Sequence, residues 1–231
     1  LLYYGLVVPL SYLPLRILYV LADFLFILFC TLLPYRKRVI DQNLQIAFPN
    51  QSNEERKQIR KDFYRYFADL LVESVKNLSI SKKQLLERMH LENPEILEEI
   101  KALNKPILLV AGHYNNWEWL ITAQASWFEQ PSYGIGMPLS HPFWNQKLTE
   151  RRERFGLKVV HAQNYQEAFE AKNPVVLVLA DQAPSSPTEC LWMPFLHQNT
   201  AVIFGPEYMA NKFNCSVVFA DIKHSKRGCY N

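Results

Sequence analysis

The sequence predicts an α/β protein whose sheet is partly parallel and whose N-terminal region is mostly helical. A continuous apolar run occurs at residues 107–111, and similar, mostly apolar runs occur at 158–160, 175–180 and 216–221, with helical patterns between them. Such runs are typical of strands buried on both faces, and their alternation with helices favours a parallel sheet. A chain of 231 residues, 49% of them hydrophobic, is long enough to bury one substantial core.

Residues 1–34 form a hydrophobic segment in which Arg16 and Asp23 are the only charges. The stretch 17–33 holds 17 residues, whereas a helix needs about 20 apolar residues to cross the hydrocarbon core. A tilted, re-entrant or interfacial helix pair therefore fits as well as a clean crossing. We expect this segment to anchor the protein to a membrane. The alternative is a buried core hairpin with a solvated basic turn.

Three cations, Arg36, Lys37 and Arg38, follow the hydrophobic segment. They favour the cytoplasmic face of the membrane and suit anionic headgroups. We expect a helical region at 35–104, with a capping box at residues 52–55 that begins a helix reaching about Lys76. The α/β core is expected at 105–231. The chain begins with Leu and stops just after a predicted strand, so we expect both ends to be incomplete.

Composition argues against several functional classes. The net charge is only +3 and no long basic run occurs, so a nucleic-acid partner is not expected. The four cysteines lack paired spacing, which predicts a reduced protein without structural zinc. Because His141 and His161 stand alone, we expect no metal site.

Polar residues follow two of the predicted strands: His113 in one case, Asp181 and Gln182 in the other. Ligands of open α/β sheets bind at this edge. His113 and Glu118 would lie about 140° apart on one helix, so they meet only if the helix begins after His113, with Asn115 as N-cap. His113 would then be a general base oriented by Glu118. Alternatively, Asn115 and Glu118 form only a capping box.

No nucleophile of the chain's own is evident. The sequence has no G-x-S-x-G motif, and its cysteines have no neighbouring histidine. The base would therefore act on a hydroxyl that the substrate supplies.

The segment Gly-His-Tyr-Asn-Asn-Trp-Glu at 112–118 closely resembles the H-x-x-x-x-E block of the bacterial lipid A late acyltransferases. These lauroyl and myristoyl transferases belong to the lysophospholipid acyltransferase superfamily. Further blocks resemble that family in the same order and cover roughly residues 33–222. They lie at 38–49, 67–73, 141–156, 180–182, 194–195 and 205–206.

The resemblance implies a glycerolphosphate-acyltransferase-like α/β core at the cytoplasmic face of the bacterial inner membrane. It implies transfer of a fatty acyl group from an acyl-carrier protein or coenzyme A thioester to a hydroxyl of a membrane lipid, a lipid A precursor in this family. No cofactor is needed beyond the acyl donor. His113 would be the general base and Glu118 its orienting carboxylate.

An oxyanion forms when a thioester is attacked, and Arg152 and Arg154 are candidates to stabilise it. They could instead hold a lipid phosphate, dock an acidic carrier protein, or simply end a solvated helix. Asp181 and Gln182 are expected to position the donor or to brace the fold, and an Asx turn is the alternative for them.

Two residues depart from the family pattern. Asn115 stands where a small glycine is common, which should not affect the base. Met137 stands where a basic residue is frequent, which puts contacts to an acceptor phosphate in doubt.

Three other functions remain open at this point. The acceptor could be a lysophospholipid or an aminolipid. The protein could be a hydrolase or metal-dependent phosphoesterase that uses His113 with Asp181. It could also be a non-catalytic, lipid-binding protein of the membrane surface.

Overall fold

The computed structural model describes residues 2–184, 186, 188 and 190–231. Contacts between residues divide the chain into two compact units. The first comprises residues 1–80 and 192–200, and the second comprises residues 81–191 and 201–231. These boundaries are not those of the three segments expected from the sequence, and that domain organisation stays a prediction.

Helices form the first unit up to residue 80. They are a π-helical turn at Tyr3–Val7, α1 (Val8–Tyr12), α2 (Leu15–Thr31), α3 (Lys37–Ala47) and α4 (Asn53–Lys76). Helix α4 begins with the predicted capping box, in which the Glu55 N–H donates to the Ser52 hydroxyl and the Ser52 N–H donates to the Glu55 carboxylate. Helices α2 and α4 pack together and bury Leu18, Ala68 and Val72.

The hydrophobic N-terminal segment bends between α1 and α2. The helical stretches Tyr3–Tyr12 and Leu15–Thr31 meet at 119°. Within the described residues no single helix has the length and hydropathy to cross a membrane, although this bent pair meets both requirements when its parts are combined. The segment is therefore a helix pair, and its association with a membrane stays a prediction.

Buried polar contacts within the first unit hold this bend. Lys76 is 9% exposed, and its Nζ donates to the carbonyl oxygens of Ser11 and Leu13 at 3.0 and 3.1 Å. The hydroxyl of Ser79 donates to the same Ser11 carbonyl. Carbonyl groups at a helix C-terminus have no partner within their own helix. Lys76 in the last turn of α4 and Ser79 just after it supply the donors that the end of α1 lacks.

The second unit contains the sheet. In chain order the strands are β1 (Ile107–Ala111), β2 (Ser132–Gly136), β3 (Lys158–His161), β4 (Val175–Leu179), β5 (Cys190–Phe195), β6 (Gln198–Ile203), β7 (Ser216–Phe219), β8 (His224–Lys226) and β9 (Cys229–Tyr230). Five of them form one sheet in the order β3-β2-β4-β1-β7. Each neighbouring pair in that sheet is parallel, which confirms the predicted α/β fold class. The pairs β5-β6 and β8-β9 form two small separate sheets.

The second unit also contains helices before and between its strands. They are α5 (Lys82–Leu86), α6 (Pro94–Ala102), α7 (Trp117–Ala123), α8 (Pro142–Arg152) and α9 (Gly205–Lys212), with 3-10 helices at Gln124–Ser126, Glu153–Phe155 and Ala162–Phe169. Leu108 and Val176 belong to one apolar cluster, and their chain neighbours Ile107 and Val175 belong to another. Because successive side chains of a strand point to opposite faces, β1 and β4 are buried on both sides.

The register of β1 and β4 determines which loop residues meet at the edge of the sheet. Ala111 pairs with Leu179, and the N–H of Ala180 donates to the carbonyl of Ala111 at 2.8 Å. Gly112 follows Ala111, and Asp181 follows Ala180. The two sets of polar residues predicted to follow these strands therefore lie side by side.

Candidate active site

His113 and Asp181 form the centre of the site. The Nδ1 atom of His113 lies 2.7 Å from Oδ1 of Asp181, and the backbone N–H of His113 donates to Oδ2 at 2.7 Å. Gly112 makes this approach possible, since a Cβ at residue 112 would lie 3.2 Å from Asp181 Oδ2. One carboxylate thus fixes both the imidazole and the loop that carries it.

This geometry assigns distinct roles to the two nitrogens of the imidazole. With Nδ1 bonded to a carboxylate, the neutral ring carries its proton on Nδ1 and presents Nε2 as the basic atom. Nε2 lies 3.4 Å from the amide nitrogen of Gln182, and the ring packs edge-on against Trp117 at a centroid distance of 5.4 Å. The ring is therefore held from three sides with Nε2 available to a substrate.

The ionisation of Asp181 suits this role. Burial raises the pKa of its carboxyl, but the hydrogen bonds from the ring and backbone of His113 outweigh burial and lower that pKa below its usual value. Asp181 is thus an anion at neutral pH. An anion beside Nδ1 stabilises the imidazolium that forms when Nε2 takes a proton.

The expected contact between His113 and Glu118 needs a correction: the carboxylate on Nδ1 belongs to Asp181. The start of α7 explains the difference. Asn116, and not Asn115, is the N-cap, and its side-chain oxygen accepts from the N–H of Trp119 at 3.0 Å. Glu118 is therefore the second residue of the helix, so the predicted Asn115–Glu118 capping box is wrong as well.

Glu118 instead forms ion pairs with the last turn of α8. Its Oε2 accepts from Arg151 Nη2 at 2.7 Å and from Arg152 Nε at 3.2 Å, while its Oε1 accepts from Arg152 Nη2 at 2.6 Å. The three side chains are mostly buried, with 11 to 17% of their surface exposed. One carboxylate thus joins the start of α7 to the end of α8.

Burial by itself raises the pKa of Glu118. The attraction of Arg151 and the hydrogen bonds and charge of Arg152 outweigh it, and the pKa of the carboxyl lies below its usual value. Glu118 is accordingly ionised, as a buried carboxylate between two guanidinium groups must be. Its catalytic importance stays a prediction.

The two arginines predicted to bind substrate differ in their surroundings. Arg152 uses Nε and Nη2 on Glu118, and its Nη1 is near Gly136 at the end of β2. Arg154 is exposed, and its guanidinium lies over the ring of Phe155 at 4.9 Å. Sequence reasoning missed Arg151. The one signal for Arg151 was its place in the charged run 151–154. That run does not show which of its side chains faces Glu118.

The loop between β1 and α7 contains a residue in the left-handed region. Asn115 has φ 51°, is 6% exposed, and donates from Nδ2 to the carbonyl of Ile222. Glycine and asparagine tolerate this conformation better than other residues. The backbone therefore explains why asparagine can stand where glycine is common, and the expectation that this departure leaves the base unaffected stays a prediction.

A cavity of about 310 Å³ lies beside this loop. Gly112 and Asp181 line it at one side, and Ala180, Phe219 and Ala220 contribute apolar surface. The cavity sits at the carboxyl ends of β1, β4 and β7, where the sequence predicted that a ligand would bind. In the part of the chain that the structure describes, no three His, Cys, Asp or Glu side chains are grouped as a metal site would require.

Comparison with known proteins adds one match. The family model for bacterial lipid A biosynthesis acyltransferases matches residues 1–231, the whole chain. Among curated proteins, none matches the sequence.

The Glu118→Gln variant tests the ion pairs between α7 and α8. Removing the charge leaves two mostly buried guanidinium groups without their anion, so the free energy of unfolding should fall by about 3 kcal/mol at pH 7. Because the pKa of Glu118 is lowered on folding, its contribution is present above the ordinary carboxyl pKa of about 4.3 and is lost as pH falls. The wild type should therefore lose stability more steeply below about pH 5 than the variant.

Urea denaturation at a series of pH values measures both effects. Glu150→Gln is the matched control, since Glu150 is an exposed carboxylate on the same helix that pairs with Lys147, and its loss should change the stability much less than the loss of the Glu118 charge. Equal losses in the two variants would show that the Glu118 pairs contribute no more than a surface salt bridge.

Proposed function

The chain belongs to the bacterial lipid A biosynthesis acyltransferase family, and we propose that it moves a fatty acyl group from a thioester to a hydroxyl of a membrane lipid. The observation that supports this reaction is the 2.7 Å contact between His113 Nδ1 and Asp181. It leaves Nε2 of a fixed imidazole as a base at the edge of the sheet. No cofactor other than the acyl donor is required.

In the proposed reaction, the acceptor hydroxyl approaches Nε2 of His113. Nε2 takes the hydroxyl proton as the oxygen attacks the thioester carbonyl, and the resulting tetrahedral oxyanion then expels the thiolate. The imidazolium returns its proton to the thiolate, so the products are an ester and a thiol. Asp181 stabilises the imidazolium, and the Gln182 amide near Nε2 orients the incoming hydroxyl.

Arg152 is the donor that we assign to the anionic part of the substrate. Two of its nitrogens are fixed by Glu118, and Nη1 has no hydrogen-bond partner among the residues described. A guanidinium held along one edge keeps its remaining N–H groups in a defined direction, which suits an oxyanion or a phosphate. Glu118 would then act by positioning Arg152, whereas Asp181 positions His113.

The cavity beside Asp181 suits the acyl chain of the donor. It lies beside Asp181, and its apolar lining includes Ala180, Phe219, Ala220 and Ile222. Burying methylene groups there would contribute about 0.8 kcal/mol each.

We place the protein at the cytoplasmic face of the bacterial inner membrane, with an acyl-carrier protein or coenzyme A thioester as donor. Membership of the family favours a lipid A precursor as the acceptor, and a lysophospholipid or an aminolipid is the alternative. The apolar helix pair at Tyr3–Thr31 and the cations that follow it support a membrane location.

Replacing the base tests the reaction. His113→Ala should lower acyl transfer by at least about 10²-fold, because no other described side chain lies at Nε2 to take the proton. The measurement is mass spectrometry of the membrane lipids of cells that carry the wild type, the variant or neither. His141→Ala is the control, since that residue lies at the start of α8 and contacts Phe143.

An unchanged lipid profile in the His113→Ala cells would remove the catalytic assignment and favour a lipid-binding protein. Release of free fatty acid from the thioester, with no acylated lipid formed by the wild type, would instead identify a hydrolase.

Asp181→Asn tests which carboxylate orients the base. An amide supports the imidazolium poorly and permits the wrong tautomer, so kcat should fall by about 10² to 10⁴-fold with little change in KM. Asp221→Asn is the matched control because Asp221 lines the same cavity and is exposed. If Asp181→Asn and Asp221→Asn have equal activity, the proposed role of Asp181 is wrong.

Ala220→Phe tests the cavity as the acyl site. A ring in the cavity should displace several methylene groups and reduce the ratio of kcat/KM for a long-chain to a short-chain thioester by about tenfold or more. Ala102→Phe, on the exposed end of α6, serves as the control. An unchanged ratio would place the acyl chain elsewhere.

A further inference from the structure

A second cavity, of about 370 Å³, lies within the first unit, far along the chain from the residues of the candidate active site. The last two turns of α2 form one wall, from Phe26 to Thr31. The N-terminal half of α4, between Lys57 and Tyr64, lines the cavity as well, together with Pro34 and Lys37. The proposed acyl transfer uses none of these residues.

One side of this cavity is apolar and continues onto an exposed helix surface. Phe26, Ile27 and Phe29 line the cavity. Ile17, Val20, Phe24 and Ile27 follow one another at helical spacing on α2, and between 52 and 69% of each residue is exposed. Four large apolar side chains in one exposed row form a surface that favours a hydrocarbon environment over water.

The other side of the cavity is cationic. Lys37, Lys57, Arg60 and Lys61 line it. Asp41 pairs with Lys37 and Arg60, and Glu54 pairs with Lys57. Four cations and two carboxylates leave two positive charges in excess, and the single negative charge of a phosphodiester would neutralise one of them.

We propose that this cavity binds one phospholipid with an anionic headgroup. The phosphate lies against Lys57, Arg60 and Lys61, and an acyl chain lies along the exposed row of α2. The apolar row decides between a lipid and a free phosphate ion, because an ion would leave that row in water. General attraction of the basic segment to an anionic membrane surface would not fix the number of bound lipids. The proposed site, in contrast, binds a single lipid molecule.

Asp41 contributes to the shape of this site. Burial raises the pKa of its carboxyl, but Lys37 and Arg60 outweigh burial and lower that pKa below its usual value. The resulting anion holds Arg60 beside the cavity, where 18% of its side chain is exposed. A cation held in place loses less conformational freedom when it binds a phosphate.

Native mass spectrometry of the full chain in a neutral detergent tests the proposal. The protein is equilibrated with phosphatidylglycerol or with phosphatidylcholine of the same acyl chains, and retained lipid is counted. We expect one phosphatidylglycerol per chain and at least about tenfold weaker retention of phosphatidylcholine. The double variant Lys57→Gln/Lys61→Gln should weaken retention of phosphatidylglycerol by about tenfold or more, since each cation near a membrane contributes roughly a fivefold factor.

Lys82→Gln/Lys83→Gln removes the same charge from the exposed helix α5 and is the matched control. Cys30→Trp narrows the cavity without changing its charge and should also weaken retention. Circular dichroism establishes that each variant is folded. His113→Ala should retain the lipid fully, so this proposal and the proposed reaction can fail separately.

Three outcomes overturn the proposal. The first is equal retention of the two lipids by the wild type. The second is equal loss of phosphatidylglycerol in the Lys57/Lys61 and Lys82/Lys83 variants. The third is complete displacement of the lipid by millimolar inorganic phosphate, which would show an ion site without a lipid.

Discussion

The parallel pairing of β1 with β4 brings together two segments that are 68 residues apart in the chain. Because Ala111 and Leu179 are in register, the loops that follow them leave the sheet at the same edge, and His113 meets Asp181 there. Burial of both strands on both faces resists any shift of this register, since a slip of one residue would exchange the two apolar faces. The geometry of the His113–Asp181 pair therefore depends on the packing of the core beneath it.

The site contains two separate carboxylate systems. Asp181 holds the imidazole, whereas Glu118 holds Arg151 and Arg152. Burying a carboxylate is costly unless its charge is matched, and the two guanidinium groups provide that match for Glu118. The spacing of His113 and Glu118 is then explained without direct contact: the histidine lies in the loop just after β1 and the glutamate in the first turn of α7, so each faces a different neighbour.

Sequence reasoning located the strands and the residues that follow them because a strand buried on both faces leaves an uninterrupted apolar run. It placed His113 and Asp181 at the same edge of the sheet and joined them only in the hydrolase alternative, whereas the favoured acyltransferase interpretation paired His113 with Glu118. Strand order is set by tertiary packing, so the adjacency of β1 and β4 could not be read from either run. β2, with the sequence Ser-Tyr-Gly-Ile-Gly, carries no apolar run at all. Asn115 and Asn116 are equally suitable caps by type, and only the positive φ of Asn115 decides between them.

The hydrogen bond from Asn115 to Ile222 has a consequence for how the protein is made. Chains emerge from the ribosome with the N-terminal end first, at about 5–20 residues per second. The helical first 80 residues can begin to fold early, whereas the loop that carries His113 gains its carboxylate only after residue 181 has emerged and its backbone anchor only after residue 222. The arrangement of the candidate site is thus a late product of synthesis, completed only after residue 222 has been translated.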